Sequence, residues 1–359
     1  MVTDSSSATP ASAGLGSISP INPLETAGWD EQVAALPGAT FFHSAAWACV
    51  LRETYGYQPL YLAHREAGRI HTLLPLVEVD SWLTGRRGVS LPFTDAAEPL
   101  CPDASSFQAL YATALALAKE RKWKYLECRG GRKWLPDAPA SLSYFSHLLE
   151  LQSDEAALFK GFEKGTRGAV RKGERSGITV EFSQSREAMK TFYLMHAHTR
   201  KRHGVPPQPF SFFANIQRYV LAKNKGWIVQ ARQGKIPVAG AVFCHFGRDV
   251  IYKFGASAEA YQQLRANNMV MWQAIQWYAQ QGFASFDFGR TSLDNDGLRR
   301  FKHSWGTRES RLDYLTYDCR KSRYTPGQAK SPSWHTRIFN RLPVSLSQII
   351  GSVLYRHVG

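Results

Sequence analysis

Cysteine is scarce and scattered in this chain. Five occur among 359 residues, at Cys49, Cys101, Cys128, Cys244 and Cys319, with no CxxC pair, and there is no HExxH. That argues against structural zinc or a disulfide framework and fits a reducing compartment. No apolar run approaches the roughly 18 uninterrupted residues that span a bilayer. The opening MVTDSSSATPASAGLGS has neither the basic start nor the apolar centre of a secretory signal. The expectation is a soluble, cytoplasmic protein. Several catalytic templates are missing too: a GxSxG elbow for a serine nucleophile, a GxxxxGK[ST] or GxGxxG phosphate cradle, and an aromatic RNP pair for RNA bases. Acidic residues stop at Asp318, after which seven basic ones follow: Arg320, Lys321, Arg323, Lys330, Arg337, Arg341 and Arg356.

What is present is positive charge and apolar mass. Forty-four Lys and Arg against 29 Asp and Glu leave a net charge of +15, which predicts an anionic partner: nucleic acid, an anionic membrane surface or a phosphorylated small molecule. An apolar content of 44% and a charged content of 20% exclude global disorder and supply core for two domains. Residues 1–22 are small and polar and read as a disordered tail. One plan then runs twice. YLAHREAGRIHTLLPLVEV (61–79) predicts a hairpin, FQALYATALALAKER (107–121) a helix and KYLECRGG (124–131) a strand. WIVQARQGKIPVAGAVFCHF (227–246), RANNMVMWQAIQWYAQQG (265–282) and ASFDFGRTS (284–292) repeat that order at an offset of roughly 160–170 residues, which points to tandem duplication. The division is 23–152 and 153–320. A basic tail, 321–359, carries Leu346, Ile349, Ile350, Val353, Leu354 and Val358 at helical amphipathic spacing. That helix either docks on its own domain or rests on an anionic membrane.

Between the copies lies SDEAALFKGFEKGTRGAVRKGERSG (153–177). As a helix it would place Lys160, Lys164, Arg167 and Arg171 on one face, although its four glycines weaken helix formation. His196, His198 and His203 form an HxHxxxxH cluster whose spacing does not bring all three to one helical face. The block FDFGRTSLDNDGLRRFKHSWG (286–306) packs Asp287, Arg290, Arg300 and Lys302 among Phe286, Phe288, Phe301 and Trp305. A lysine among aromatics can act as a desolvated cation beside developing negative charge.

This block resembles the C-terminal signature of the FemAB-like, GNAT-related acyltransferases, particularly a branch associated with exopolysaccharide and exosortase systems. The likeness extends through ATFFHSAAW (39–47), GRRGVSLPFTD (85–95), YLECRGG (125–131), TRGAVRKGERSG (166–177), TRKRHGVPPQPFSFF (199–213), VIYKFGAS (250–257) and ANNMVMWQAIQW (266–277). It implies an α+β fold: tandem duplicated GNAT-like domains, each a mixed, mostly antiparallel sheet flanked by helices. It implies transfer of an acyl or aminoacyl group to an amine or hydroxyl of a cell-envelope or exopolysaccharide precursor. The donor would be acyl-CoA or aminoacyl-tRNA, with no permanently bound cofactor and no metal. By the same likeness Lys302 would steady the oxyanion or leaving group, with Asp287 or His203 as proton acceptor. Arg167, Arg171 and Lys172 would grip a phosphate, and Tyr252, Lys253, Arg290 and Trp305 would line the substrate groove. The stretch matching the family's donor loop is AYQQLRANN (260–268), with Gln263, Asn267 and Asn268 as donor contacts but no glycine. That absence motivates the alternative of a non-catalytic adaptor in envelope polysaccharide assembly. Charge alone would also suit a nucleic-acid-binding regulator. Peripheral contact with the inner face of a membrane is a further expectation.

Overall fold

The computed structural model describes residues 18–327 and 342–358. The first half runs β1 (Ile18–Ile21), α1 (Trp29–Ala34), α2 (Ala45–Tyr55), β2 (Gln58–Pro59), β3 (Tyr61–Glu66), β4 (Arg69–Leu74), β5 (Val77–Val79), β6 (Arg87–Val89), α3 (Ala104–Glu120), β7 (Tyr125–Arg129) and β8 (Leu142–Glu150). The second runs α4 (Glu155–Lys160), α5 (Lys164–Arg175), β9 (Ile178–Ser183), α6 (Arg186–Arg202), α7 (Phe210–Tyr219), β10 (Gly226–Gln233), β11 (Ile236–Phe246), β12 (Asp249–Ser257), α8 (Ala266–Gln280), β13 (Ser285–Ser292), α9 (Asp296–His303) and β14 (Arg308–Asp318). A short β15 (Arg323–Tyr324) and a last helix, α10 (Val344–Val358), follow.

Local chemistry explains the main elements. Asp103 caps α3 by accepting from the Ser106 amide at 2.8 Å, and Asn295 caps α9 through the Leu298 amide at 3.1 Å; each satisfies a first-turn donor that has no partner within the helix. The two expected hairpins are β3–β4 and β10–β11, each closed by a two-residue connection. The helix and strand expected after each are α3 with β7, and α8 with β13.

The strands form a small sheet, β1-β3-β4, and a twelve-stranded sheet ordered β2-β5-β6-β7-β14-β8-β13-β12-β11-β10-β9, with β15 on β14. β14, from the end of the second half, is inserted between β7 and β8 of the first. β8 in turn pairs with β13. The halves therefore share one backbone ladder. One core, around Trp47, Phe212 and Phe213, joins α2 of the first half to α6 and α7 of the second. A second core lies under α8, and a third under α3.

Two local expectations change. Residues 18–21 pair with β3 from Ile18↔His64 to Ile21↔Tyr61, so the tail expected through residue 22 is already strand at Ile18. Residues 1–17 lie outside the described residues. The basic linker is two helices, because Gly161–Glu163 interrupts it, and Lys160 does not share a helix with Lys164, Arg167 and Arg171. The expected amphipathic helix is α10, and it docks: the Tyr57 hydroxyl donates to the Tyr355 carbonyl at 3.1 Å, and Thr84 Oγ1 to the His357 carbonyl at 2.8 Å.

Candidate functional site

β12 and β13 pair in parallel at only three positions, Asp249↔Ser285, Val250↔Phe286 and Ile251↔Asp287. Both strands continue beyond, but β12 stays with β11 and β13 with β8. The sheet parts where they diverge. Ile251 and Asp287, in register, point to the face that packs on the first half, whereas Tyr252 points to the α8 face.

On the first face stands a largely buried cluster of charge. Lys253 Nζ donates to Asp95 Oδ2 at 2.9 Å and lies 4.8 Å over the Phe42 ring. Arg290 Nε is 3.8 Å from Asp95 Oδ1, and its guanidinium sits 4.5 Å over Tyr144 and donates to the Tyr314 hydroxyl. That hydroxyl donates to the Asp95 carbonyl at 2.6 Å. Lys302 is 2% exposed, and its Nζ donates to the Gly289 and Arg290 carbonyls at 2.7 and 3.0 Å. Those carbonyls turn toward it because β13 slips register between Asp287 and Arg290, with Gly289 at φ +70°, a conformation that favours glycine. Asp287 accepts from the Gly289 amide at 2.7 Å and opens on a mainly apolar cavity of about 270 Å³ shared with Thr40, Phe41, Ala96 and Leu148.

Two carboxylates here face three cations, so the cluster carries surplus positive charge. Burial would raise the Asp95 carboxyl, but Lys253 and Arg290 outweigh it and hold it below its usual value. Burial, with Asp95 next, raises Asp287 to about 6 against the opposing pull of Lys302 and Lys253. Burial lowers Lys302 to about 8 although Asp95 and Asp287 favour its charge. At neutral pH the cluster thus holds a carboxylate close to its pKa and an ammonium close to its own.

Where the strands part, a cleft of about 380 Å³ lies between the end of α6, β11–β12, α8 and α9; Thr199, Arg202, His203, Tyr252, Asn267 and Phe301 line it. A smaller recess of about 210 Å³ adjoins it at the start of α8, sharing Ser257, Asn267 and Phe301 and adding Gln262, Arg265 and Asn268. Arg265 takes φ +59° immediately before α8. The left-handed turn is therefore made without glycine, and Ala266 and Asn267, whose amides open α8 ahead of the Asn268 amide that bonds the Arg265 carbonyl, border the recess, the arrangement that binds anions at helix starts.

The structure brings Asp287, Lys302, Lys253 and Arg290 into one cluster, and His203, Tyr252 and Asn267 into one cleft. The two alternative proton acceptors thus line different cavities, Asp287 the one under Phe41 and His203 the cleft at the end of α6. His203 is an exposed residue at the end of α6, its pKa lowered by partial burial and by Arg202. His196 is instead a core residue, ringed by Phe192, Phe213 and Phe254 and pushed down to about 3 by burial. Asn268 lines the recess, but Gln263 is exposed and does not; its neighbour Gln262 does. Trp305, expected in the groove, is 0% exposed and packs on Phe162 and Phe301 as core. Arg167 is engaged with the Lys160 and Phe162 carbonyls across the α4–α5 break, whereas Arg171 and Lys172 are exposed on α5. Sequence reading missed Asp95 and Tyr314. Asp95 closes the GRRGVSLPFTD block, and the signal available was only its place there. The loop that delivers it is strained at Leu91 (φ +56°) and Phe93 (φ +62°), an outlier pair of the kind found at functional sites.

An acetyltransferase (GNAT) domain family matches residues 160–303. The chain is 24% identical over 224 residues to a protein named lipid II:glycine glycyltransferase from Staphylococcus saprophyticus, covering 44% of this chain and 54% of that one. It is 24% identical over 140 residues to one named UDP-N-acetylmuramoylpentapeptide-lysine N(6)-alanyltransferase from Weissella viridescens, covering 38% and 41%. The matches thus span about half, or less, of those relatives' length. Among solved structures the chain is similar to FemX, with a TM-score of 0.66 at 18% identity over 82% of this chain and 96% of that one. It is also similar to a tandem GNAT protein from the clavulanic acid biosynthesis pathway, with a TM-score of 0.51 at 12% identity over 88% and 99%. The fold is accordingly that of GNAT-like units, a mixed, mostly antiparallel sheet flanked by helices.

Proposed function

We propose, from the premise that this chain belongs to the FemAB-like, GNAT-related family, that it is an acyltransferase that moves an aminoacyl or acyl group onto an amine or hydroxyl of a cell-envelope precursor. The observation that carries this reading is the placement of Asp287, near its pKa, within electrostatic reach of the buried ammonium of Lys302 where β12 and β13 part. The acceptor's lone pair attacks the donor's ester or thioester carbonyl carbon. Its proton passes to the Asp287 carboxylate, and the tetrahedral oxyanion forms beside the surplus positive charge of Lys302 and Arg290. Collapse breaks the bond to the leaving oxygen or sulfur, and that atom takes the proton back.

The donor's anionic part would sit in the recess at the start of α8, beside Asn267, Asn268 and Arg265. The last turn of α5 abuts it: a Cβ on Gly173 would lie 2.3 Å from Met269. Lys164, Arg171, Lys172 and Arg175 are all exposed on α5, a cationic track longer than a single pyrophosphate requires. That favours a polyanionic donor such as aminoacyl-tRNA over acyl-CoA. On the acceptor side, a peptidoglycan-type precursor is the leading class, with an exopolysaccharide precursor as the competing one.

The test is a mass-spectrometric transfer assay with charged tRNA or acyl-CoA against both acceptor classes, using wild type, Asp287→Asn and His203→Gln. Asp287→Asn should abolish product formation while His203→Gln retains most of it. The reverse pattern would move the proton acceptor to the cleft at the end of α6. No transfer from either donor, with partner binding intact, would support the adaptor reading.

A further inference from the structure

Five of the eight large apolar side chains that the described residues leave exposed belong to one surface. Trp82 and Leu83, 85% and 53% exposed, form the tip of the loop between β5 and β6. Leu346, Ile349 and Val353 run along the outer side of α10 at helical spacing, continued by exposed Arg356. The two parts meet where the Trp82 ring lies 5.6 Å from that of His357. They are also fixed to each other. The Ser81 hydroxyl is 2.9 Å from His357 Nδ1, and Arg87 donates to the His357 carbonyl at 2.8 Å. The stripe is therefore a rigid face, since on the opposite side of α10 Tyr355 bonds with Arg200 and the Pro206 carbonyl and Gly351 packs on Pro207.

We propose that this face rests on the anionic surface of a membrane, with Trp82, Leu83, Ile349 and Val353 entering the headgroup region. Charge selects this occupant over a second copy of the chain. α10 carries no acidic residue, and its basic residues are Arg356 and His357. Lys124, half-buried, donates to the Thr84 carbonyl beside the Trp82 loop at 2.8 Å, and the acidic neighbour Asp80 is paired with Arg86. Two such faces would repel each other, while anionic headgroups attract both. An amphipathic helix with cations and an exposed indole at the rim is the composition that binds peripherally. No helix among the described residues is long and apolar enough to cross a bilayer. The face is also tied to the cleft: the Tyr355 hydroxyl receives Arg200 at 2.8 Å and donates to the Pro206 carbonyl at 2.9 Å, just beyond His203. Docking would thus hold the end of α6 near the lipid surface.

The inference does not depend on the acyl-transfer reading, and its test uses no substrate. The full chain is floated with vesicles of phosphatidylcholine alone and with vesicles containing phosphatidylglycerol. Binding to the anionic vesicles, weakened by salt, is the expected result. Trp82→Ser combined with Ile349→Ser should lower it by about tenfold or more, with circular dichroism unchanged because both side chains are solvent-exposed. Arg356→Glu should lower it at low salt. Wild-type protein that stays with the buffer, or a double variant that floats like wild type, would overturn the proposal. So would a wild-type dimer that the double variant converts to monomer, because a second copy would then cover this face.

Discussion

In the proposed mechanism Asp287 couples stability to chemistry. Its carboxyl titrates near 6 in the folded chain rather than at 3.8, so between those values the folded state binds more protons than the unfolded one. Stability contributed at that residue is present below about pH 4 and is lost as pH rises through 6. Asp287→Asn removes the penalty. It should raise stability at neutral pH by about 1–3 kcal/mol while turnover collapses, a pairing that calorimetry and the transfer assay read separately. Lys302 titrates near 8 rather than 10.5, so the folded state binds fewer protons across that interval and stability rises with pH through it. Lys302→Met leaves the Gly289 and Arg290 carbonyls without their donor, a cost of about 1–3 kcal/mol per buried group. It also removes a cation that holds Asp287 down. The acid limb of the pH–rate profile, expected near pH 6 in wild type, should move upward in any residual activity. An unmoved limb would assign that limb to another group. At this scale the sequence was partly legible. Asp287, Arg290 and Lys302 fall in one short block, but Asp95 lies 158 positions from Lys253, and nothing local separates it from a surface acid.

Among the elements, α5 carries the prediction about the donor. Arg171 and Lys172 are exposed on the helix whose last turn packs against the start of α8. Reversing both charges should weaken tRNA binding at low salt and reduce the slope of log affinity against log salt by about two. Filter binding across a salt series checks this; an unchanged slope would place the polyanion elsewhere. The hairpins and the α3, α8, β7 and β13 segments could be read in advance because their turns and apolar periods are local signals. The stretch 260–268 could be located, but not which glutamine faces the recess. A short 3-10 turn at Glu259–Leu264 and the left-handed Arg265 set that orientation. Trp305 misled for a related reason: an aromatic after a basic helix has the same sequence signature whether it lines a groove or fills the space under α9.

For the whole molecule, the exchanged strand is the consequential feature. β14 lies between β7 and β8, so a fragment ending at residue 152 would expose the facing ladder edges of both. Residues 18–152 expressed alone should aggregate or remain unfolded, and the full chain should melt in one cooperative transition by calorimetry and circular dichroism. Two separated transitions would show that the halves are autonomous and that the shared ladder adds little.

The sequence by itself determined the repeated order of hairpin, helix and strand, the basic character of the linker and tail, and the block that holds Asp287 and Lys302. These are carried by residues within a few turns of one another. The tertiary structure decided that β14 completes the first half, that Asp95 joins Lys253 and Arg290, and that His203 and Asp287 line different cavities. Strand order and the pleat govern those relations, and both depend on pairings between residues far apart in the chain, whose local sequence is compatible with several partners.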